Sequence, residues 1–490
     1  MNDLAAGSAV RVPGATAEGG DSDDAATAVI SLYQKSKKIY PRAVHGAFAR
    51  WRWGLVWATQ LVFYGLPWLQ WNGRQALLFD LGARRFYLFG AVLYPQDFIY
   101  LTGLLVVSAL SLFLFTAVAG RLWCGYACPQ TVYTEMFMWI EQRIEGDRVA
   151  RMRLDAAPWR FDKVWRKAIK HAAWIVVALV TGFTFVGYFT PIRTLWAEAF
   201  TLGFGPWEWF WVNFYALATY GNAGFMREQV CKYMCPYARF QSAMFDRDTL
   251  VIAYDDVRGE ARGSRSRKAD PKKLGLGDCI DCGLCVQVCP TGIDIRRGLQ
   301  YECIGCAACI DVCDGVMDKM AYPRGLIRYA TQNGMAQRHT GAQMLKRALR
   351  PRVLVYTTIL GVVALALMLG LALRQPFRVD VVRDRASLAR VVDNGQIENV
   401  YRLQVMNATE QPYRYRIGVS GQAGVAMAEP VELTLGPAQA RWISAAVRAP
   451  PEAARALGPG AHRIDFAVEA MAEDGATVKL LEKSTFVVPR

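Results

Sequence analysis

Five stretches of the chain carry no charged residue over about the length that a bilayer-spanning helix needs. They run from Trp53 to Trp71, Phe98 to Gly120, Ala172 to Ile192, Trp209 to Met226, and Val353 to Leu373. The first contains Gln60 and Pro67 and the fourth is short, so either of these two could instead be a buried or re-entrant segment. Trp and Tyr crowd the ends of both, as in interfacial anchors, which favours true spans. The pattern therefore predicts a membrane protein with about five transmembrane helices.

Lys and Arg are concentrated in alternate connecting segments. Residues 1–52, 121–170 and 227–352 contain 7, 10 and 21 of them, whereas 72–97 and 193–208 contain 3 and 1. Basic segments stay in the cytoplasm, so we expect a cytoplasmic N-terminus and a periplasmic chain after the fifth span. The net charge of +15 alone would also allow nucleic-acid binding. Topology explains this charge, so the expected partner is a lipid bilayer and no nucleic acid.

Beyond residue 377 the hydrophobic pattern changes to short runs in which apolar and polar residues alternate between Gly, Pro and Asn. Runs such as VYRLQVMN, YRYRIGV and HRIDFAVEA predict strands, and their regular spacing predicts an Ig-like β-sandwich over 377–490. This part contains no Cys, so neither a disulfide nor a thiolate metal site is available in it. We expect a folding or docking module without catalysis.

Eight of the 12 Cys form two copies of the spacing C-x2-C-x2-C-x3-C, between residues 279 and 313. This doubled run is typical of bacterial ferredoxins with two [4Fe-4S] clusters, in which the fourth Cys of each run ligates the other cluster. The predicted ligands are Cys279, Cys282, Cys285 and Cys313 for cluster 1, and Cys303, Cys306, Cys309 and Cys289 for cluster 2. Structural zinc is the alternative, but its sites usually show two C-x2-C pairs with a wider separation.

The remaining four Cys form a second repeat at the predicted cytoplasmic ends of the second and fourth spans. Cys124 and Cys128 belong to one copy of the pattern C-x-Y-x-C-P, and Cys231 and Cys235 belong to the other. If the backbone there is helical, the two sulfurs of each pair lie on one face, and the following Pro tends to stop or kink the helix. The two pairs could meet and bind Cu(I), hold a further metal cluster, or cycle between dithiol and disulfide. The alternative is that they are buried packing thiols.

These patterns together predict a multi-domain α-helical membrane protein with an inserted α+β ferredoxin domain and a C-terminal Ig-like β-sandwich. The predicted parts are a flexible cytoplasmic N-terminus (1–50), a four-helix membrane domain (51–257), a basic linker (258–277), a dicluster ferredoxin domain (278–325), a cytoplasmic connector (326–352), a fifth transmembrane helix (353–373) and a periplasmic Ig-like domain (377–490).

With these motifs in this order, the chain resembles the CcoG/FixG/RdxA family of membrane polyferredoxins, known as cytochrome c oxidase accessory proteins. The resemblance implies a multi-pass protein of the bacterial inner membrane that acts in cbb-type cytochrome oxidase assembly as a cupric reductase supplying Cu(I). The implied partners are the oxidase subunits, copper-handling assembly proteins and an unidentified cytoplasmic electron donor. The resemblance also implies a catalytic copper or redox site at Cys124, Cys128, Cys231 and Cys235.

Two other functions stay open. One is a quinol-linked electron carrier similar to NapH and NosR, which share C-x3-C-P pairs near the membrane; activity with quinol and not with copper would identify it. The other is a non-catalytic scaffold that docks the oxidase through its spans and its Ig-like domain. A scaffold predicts normal oxidase maturation after the cluster ligands are replaced by Ser. The Ig-like domain favours the CcoG/FixG/RdxA family over the NapH and NosR proteins.

Overall fold

The computed structural model describes residues 38–384, 388–472 and 475–490. Most of the predicted flexible N-terminus (1–50) therefore lies outside the described residues. Its described end is packed against the rest of the chain, because the Arg42 N–H donates to the Gln287 carbonyl at 2.9 Å and the first helix already begins at Ala47.

The predicted membrane domain is largely helical between residues 47 and 244. Its helices are α1 (Ala47–Gly65), α2 (Phe98–Ala119), α3 (Leu122–Tyr126), α4 (Pro129–Glu145), α5 (Arg148–Ala156), α6 (Phe161–Val186), α7 (Ile192–Thr201), α8 (Pro206–Gly221), α9 (Arg227–Gln229) and α10 (Pro236–Met244). Two π-helical turns, Asn222–Met226 and Val230–Met234, flank α9.

The segment between α1 and α2 folds into short antiparallel strands that the sequence pattern did not predict. They are β1 (Gln70–Trp71), β2 (Arg74–Gln75), β3 (Leu77–Asp80), β4 (Arg85–Leu88) and β5 (Ala91–Leu93). β1 pairs with β2, and β3 to β5 form a three-stranded sheet. Asn72 and Gly73 close the first hairpin at φ 48° and 76°, a backbone conformation that these two residue types tolerate.

The doubled Cys run lies in a Cys-rich unit enclosed by two strands, β6 (Val251–Tyr254) and β7 (Ile327–Ala330), which pair antiparallel. The helices of this unit and of the connector are α11 (Asp256–Gly259), α12 (Leu284–Gln287), α13 (Ala308–Met320), α14 (Gln332–Ala336) and α15 (Gly341–Ala348). The predicted basic linker packs onto the unit, since Arg258 pairs with Asp278 and donates to the Arg324 carbonyl at 3.0 Å. The unit therefore extends beyond the predicted range 278–325, because its flanking strands pair with each other.

Each of the five predicted spans contains a helix, and the fifth is α16 (Pro351–Ala372). Among the described residues, three helices are long and apolar enough to cross a bilayer, namely Pro95–Ala119, Phe161–Val186 and Pro351–Ala372. α1 has 19 residues and buries Arg52 and Gln60, and α8 has only 16 residues before the π-helical turn. Membrane character thus rests on three helices, and the five-span topology stays a prediction.

The C-terminal part is an antiparallel β-sandwich, as predicted. Its elements are β8 (Phe377–Arg383), β9 (Arg390–Val391), β10 (Ile397–Asn407), β11 (Tyr413–Ser420), β12 (Ala426–Met427), β13 (Val431–Leu435), β14 (Ala440–Ala449), α17 (Pro451–Leu457), β15 (Gly460–Ala472) and β16 (Thr477–Val488). One sheet has the order β12-β14-β10-β8 with β9 beside β10, and the other has the order β13-β11-β15-β16. The inward-facing residues include the fully buried Tyr401, Tyr415 and Phe466, which form the core between the sheets.

The sandwich packs against the β3–β5 sheet. Val92 lies in one apolar cluster with Met406, and the Tyr94 hydroxyl donates to the carbonyls of Asn407 at 2.9 Å and Ala438 at 3.2 Å. The segment before α2 and the sandwich therefore lie at the same end of α2 and α16, whereas the Cys-rich unit lies at the other end. This separation agrees with the sides that the basic residues predict.

The junction between α2, α16 and the sandwich depends on one buried carboxylate. Asp97 pairs with Arg374 and Arg378, both at 2.5 Å. We expect Asp97→Asn to destabilise the protein by about 3 kcal/mol, because two guanidinium groups lose their counter-charge in a buried site. Thermal unfolding in detergent measures the loss. The matched control is Asp162→Asn, which removes an exposed pair with Arg166 and should change stability by under about 0.5 kcal/mol; equal losses would contradict the expectation.

Candidate functional site

One small cavity in the Cys-rich unit is lined by Cys279, Cys282, Cys285 and Cys313. The first three come from the loop before α12 and from its first turn, and Gly283 turns that loop at φ 63°. The fourth, Cys313, comes from α13 and is close enough to the other three to interact with them electrostatically. The structure thus brings together the four residues that the sequence assigned to cluster 1.

An adjacent cavity is lined by Cys289, Cys303, Cys306 and Cys309. Cys309 lies in the first turn of α13, the helix that also carries Cys313 of the first cavity. Cys289 follows α12 and lies within electrostatic range of the three thiols of the second run. The two runs therefore exchange their fourth Cys, as the ferredoxin spacing predicts.

The residues around both cavities fit [4Fe-4S] clusters. The first cavity is lined by its four predicted thiols, and the second by its own four together with Cys285, which lines both. The remaining lining is mostly apolar, as with Val316 and Leu326 in the first and Ile252 and Ile304 in the second. Over residues 38–384, 388–472 and 475–490, no three His, Cys, Asp or Glu side chains are spaced as ligands of a single metal ion. Four thiols around a wider cavity suit a cluster better than the structural zinc alternative.

Burial controls the protonation of these thiols. It raises the pKa of Cys285 to about 11 and the pKa values of Cys303 and Cys313 to about 12. Without metal these three thiols are therefore protonated at neutral pH, and since metals bind thiolates, cluster binding must release their protons.

The two C-x-Y-x-C-P segments are not continuous helices. Cys128 is extended (φ −62°, ψ 129°) and forms the N-cap of α4, which begins at Pro129. In the second segment Cys231 lies in a π-helical turn, and Cys235 is the N-cap of α10, which begins at Pro236. The expectation that the helix stops at the Pro is confirmed, because α3 ends at Tyr126 and the π-helical turn ends at Met234, and Cys128 and Cys235 are extended. Each Pro also begins a helix, because its fixed φ suits the first helical position and no N–H is needed there.

The same four thiols, called here the membrane-face thiols, are Cys124, Cys128, Cys231 and Cys235. Cys231 lies within electrostatic range of the other three, and Cys124 is buried, with its Sγ donating to Gln241 Oε1 at 3.4 Å. Burial raises the pKa of Cys231 to about 12 and also raises that of Cys128. The two pairs therefore lie near each other, although no three of these four thiols are spaced as ligands of a single metal ion.

The membrane-face thiols lie directly against the second ferredoxin cavity. A Cβ on Gly125, between Cys124 and Cys128, would lie 2.8 Å from both the N and the Cα of Cys306. A Cβ on Gly305 would in turn lie 3.1 Å from the Arg121 carbonyl oxygen. Two glycines therefore allow the backbones of the two Cys motifs to touch. The second cavity, rather than the first, is the one that faces the membrane-face thiols.

Two contacts that the sequence analysis missed hold α1 against this junction. The buried Arg52 donates from Nη1 to the Cys306 carbonyl at 3.2 Å. Asp311, between Cys309 and Cys313, accepts hydrogen bonds from the backbone N–H groups of Phe48 at 3.1 Å and Ala49 at 2.7 Å. The sequence signal for the first contact is Arg52 itself, which with Arg50 is one of two charged residues in α1.

Three family models match the chain. A 4Fe-4S binding domain matches residues 101–146, a 4Fe-4S dicluster domain matches 226–332, and the Ig-like fold at the C-terminus of FixG matches 367–489. The first two ranges include the membrane-face thiols as well as the doubled Cys run.

Characterised relatives match most of the chain. The nitrogen fixation protein FixG of Rhizobium meliloti is 39% identical over 430 residues, which covers 81% of this chain and 82% of FixG. The protein RdxA of Cereibacter sphaeroides is 41% identical over 402 residues, which covers 80% of this chain and 84% of RdxA. A weaker match is the ferredoxin-type protein NapH of Haemophilus influenzae, 24% identical over 38% of this chain and 66% of NapH.

Proposed function

Since the chain belongs to the FixG/RdxA family of iron-sulfur proteins, we propose that it carries electrons from a cytoplasmic donor to the membrane-face thiols and reduces Cu(II) to Cu(I) there. The proposed setting is the assembly of a cbb-type cytochrome oxidase in the bacterial inner membrane. The proposed partners are the oxidase subunits and the copper-handling proteins that receive Cu(I).

The close approach of Gly125 to Cys306 carries this proposal. Electron transfer needs the donor and acceptor groups to be near each other, and no side chain separates the two Cys motifs at this point. Arg52 connects α1 to the loop that carries Cys306, and Asp311 connects α13 to the start of α1. Both contacts help to hold the two Cys motifs at this distance.

The proposed ligands are the two sets of four Cys that line the cavities. Clusters bound there would accept and release one electron at a time, at potentials that depend on burial, hydrogen bonds and nearby charge. The chain itself supplies the deprotonated thiols, the apolar walls that exclude water, and the backbone contact with the membrane-face thiols.

Copper chemistry suits the membrane-face thiols. Each Cu(II) ion takes up one electron and becomes Cu(I), which soft thiolate ligands bind in preference to harder metals. Among the described residues no three His, Cys, Asp or Glu side chains, the membrane-face thiols included, are grouped as ligands of one metal ion. A substrate ion held by one or two thiolates can be passed on, whereas a closed site of four ligands would retain it.

The double variant Cys124→Ser with Cys231→Ser tests the proposal. We expect Cu(II) reduction to fall to the rate without protein, because each pair loses one of its thiols, while the iron content and the cluster spectrum stay those of the wild type. The measurement is anaerobic Cu(I) formation with a chemical reductant, together with iron analysis. Met234→Ser is the matched control, because Met234 is an exposed residue of the same π-helical turn. Copper reduction at the wild-type rate by the fully iron-loaded double variant would refute the assignment.

A quinol-linked carrier is the second candidate, because a cleft of about 1200 Å³ lies beside the second ferredoxin cavity. Trp53, Trp57 and Trp139 line its apolar end, and Ala308, next to Cys309, lines the other. An amphipathic ring compound fits such surroundings. Cluster reduction by a quinol in detergent, unaffected by the double Cys variant, would favour this candidate over copper reduction.

A further inference from the structure

Arg121 is a buried cation without a counter-charge. It precedes α3, its side chain is almost fully buried, and its Nη1 donates to the Tyr301 carbonyl. Among the described residues no carboxylate lies within ion-pair distance of it, and its Nε has no hydrogen-bond partner. Burying a charge without a counter-charge is strongly unfavourable, so we expect an anionic group beside Arg121.

The groups that Arg121 faces are thiols of two different motifs. Its charge lowers the pKa of both Cys231 and Cys303, although burial outweighs this effect in each case. Arg121 therefore lies between the membrane-face thiols and the second ferredoxin cavity. Four thiolates around an iron-sulfur core carry a net negative charge, which would be the missing counter-charge.

Arg52 adds a second buried cation at the same cavity. Its Nη1 donates to the Cys306 carbonyl at 3.2 Å, and its Nε has no hydrogen-bond partner. Glu135 is its ion-pair partner, but at 3.8 Å the contact is long and only partly offsets the charge. Asp311, whose carboxylate accepts a hydrogen bond from the backbone N–H of Ala49, adds a weaker negative charge near Arg52.

The first cavity has a different electrostatic environment. Arg296 lies near Cys285, but it is paired with Asp294 at 2.8 Å and with Asp281, so its charge is neutralised. Arg265 donates to the Cys279 carbonyl at 3.4 Å, but it is half-exposed and water screens it. Only the second cavity therefore has guanidinium groups that are both buried and poorly compensated.

We infer that Arg121 and Arg52 raise the reduction potential of the second ferredoxin site above that of the first. A nearby cation stabilises the reduced state, because reduction makes the site more negative, and burial keeps this attraction unscreened. The electron then resides preferentially at the site that touches the membrane-face thiols. The inference rests on the proposed cluster binding at both cavities and is independent of copper reduction.

Redox titration monitored by electron paramagnetic resonance tests the inference on the full-length protein. Cys289→Ala identifies the signal of the second site, because it removes a ligand of that site. We expect Arg121→Gln and Arg52→Gln each to lower the ratio of reduced to oxidised second site roughly tenfold at a fixed potential, with the first site unchanged. Gln keeps an N–H donor for the Tyr301 or Cys306 carbonyl, and Arg121→Lys should restore most of the ratio because it restores the charge.

The matched control is Arg297→Gln, which removes an exposed charge near the first run and should shift neither site. If both sites of iron-loaded Arg121→Gln and Arg52→Gln kept their wild-type ratios, or shifted equally, the inference would be overturned. The proposed function fails separately, when the wild type itself contains no iron-sulfur signal. If the Gln variants lose iron, the wild type still decides: a second site, identified by Cys289→Ala, that is reduced at a higher potential than the first supports the inference, and one reduced at an equal or lower potential overturns it.

Discussion

Replacing Gly125 by Val should reduce the rate of Cu(II) reduction at least about tenfold while both ferredoxin sites keep their iron. A side chain at this position meets the backbone of Cys306 at 2.8 Å, and backbone atoms cannot move aside as a flexible side chain can. The second ferredoxin loop must therefore shift away from the membrane-face thiols, and small displacements between reacting groups slow a reaction strongly. Overpacking should also lower stability by about 1–3 kcal/mol.

The measurement is Cu(I) formation with a chemical reductant, alongside iron content and thermal unfolding. Gly315→Val is the matched control, because a Cβ at this position of α13 meets nothing within 4 Å. Gly125→Ala should give an intermediate rate. A wild-type rate in Gly125→Val would show that electrons reach copper by another path.

Loss of the fourth Cys of either run should remove the cluster that the other run holds. Cys313→Ala should abolish the same paramagnetic signal as Cys282→Ala, because both residues line the first cavity. Cys289→Ala should abolish the same signal as Cys303→Ala, since these residues line the second cavity. Each variant should lose about four irons per chain.

The spectra of the four single variants, compared with iron analysis, check this pairing. The exchange depends on α13, which carries one thiol to each cavity, and on the Cys that leaves α12 toward the second cavity. If Cys313→Ala and Cys303→Ala removed the same signal while Cys282→Ala removed the other, each run would hold its own cluster and the exchange would be wrong. A conservative exposed substitution such as Lys319→Gln in α13 should leave both signals intact.

Sequence patterns predicted the parts of the protein that depend on local periodicity. The long apolar runs became α2, α6 and α16, and the alternating runs after residue 377 became the two sheets of the sandwich. Spacing alone also predicted that Cys313 joins the first run and Cys289 the second, which is how they line the two cavities, and their ligand roles stay a prediction. In each case the signal lies within a short stretch of chain, where hydrophobic period or ligand spacing directly determines the structure.

The parts that could not be predicted depend on contacts between distant segments. Gly125 is required because the backbone of Cys306 packs against it. The two residues are 181 positions apart, so no local pattern marks this contact. The proline of each C-x-Y-x-C-P motif follows the end of one helical segment and also begins the next helix. The sequence pattern predicted only the first of these two roles. The strands β3–β5 are too short to bury a face of their own, and the sandwich completes their core.

The hydrogen bonds of Asp311 to the start of α1 have a consequence for biogenesis. Ala49 and Asp311 are 262 residues apart, so the ribosome finishes the first helix long before it makes the carboxylate that caps it. Until then the N–H groups at that helix end have no partner from this carboxylate. Because Asp311 lies between two cluster ligands on α13, delivery of iron and sulfide to the nascent protein should stabilise the cap as well.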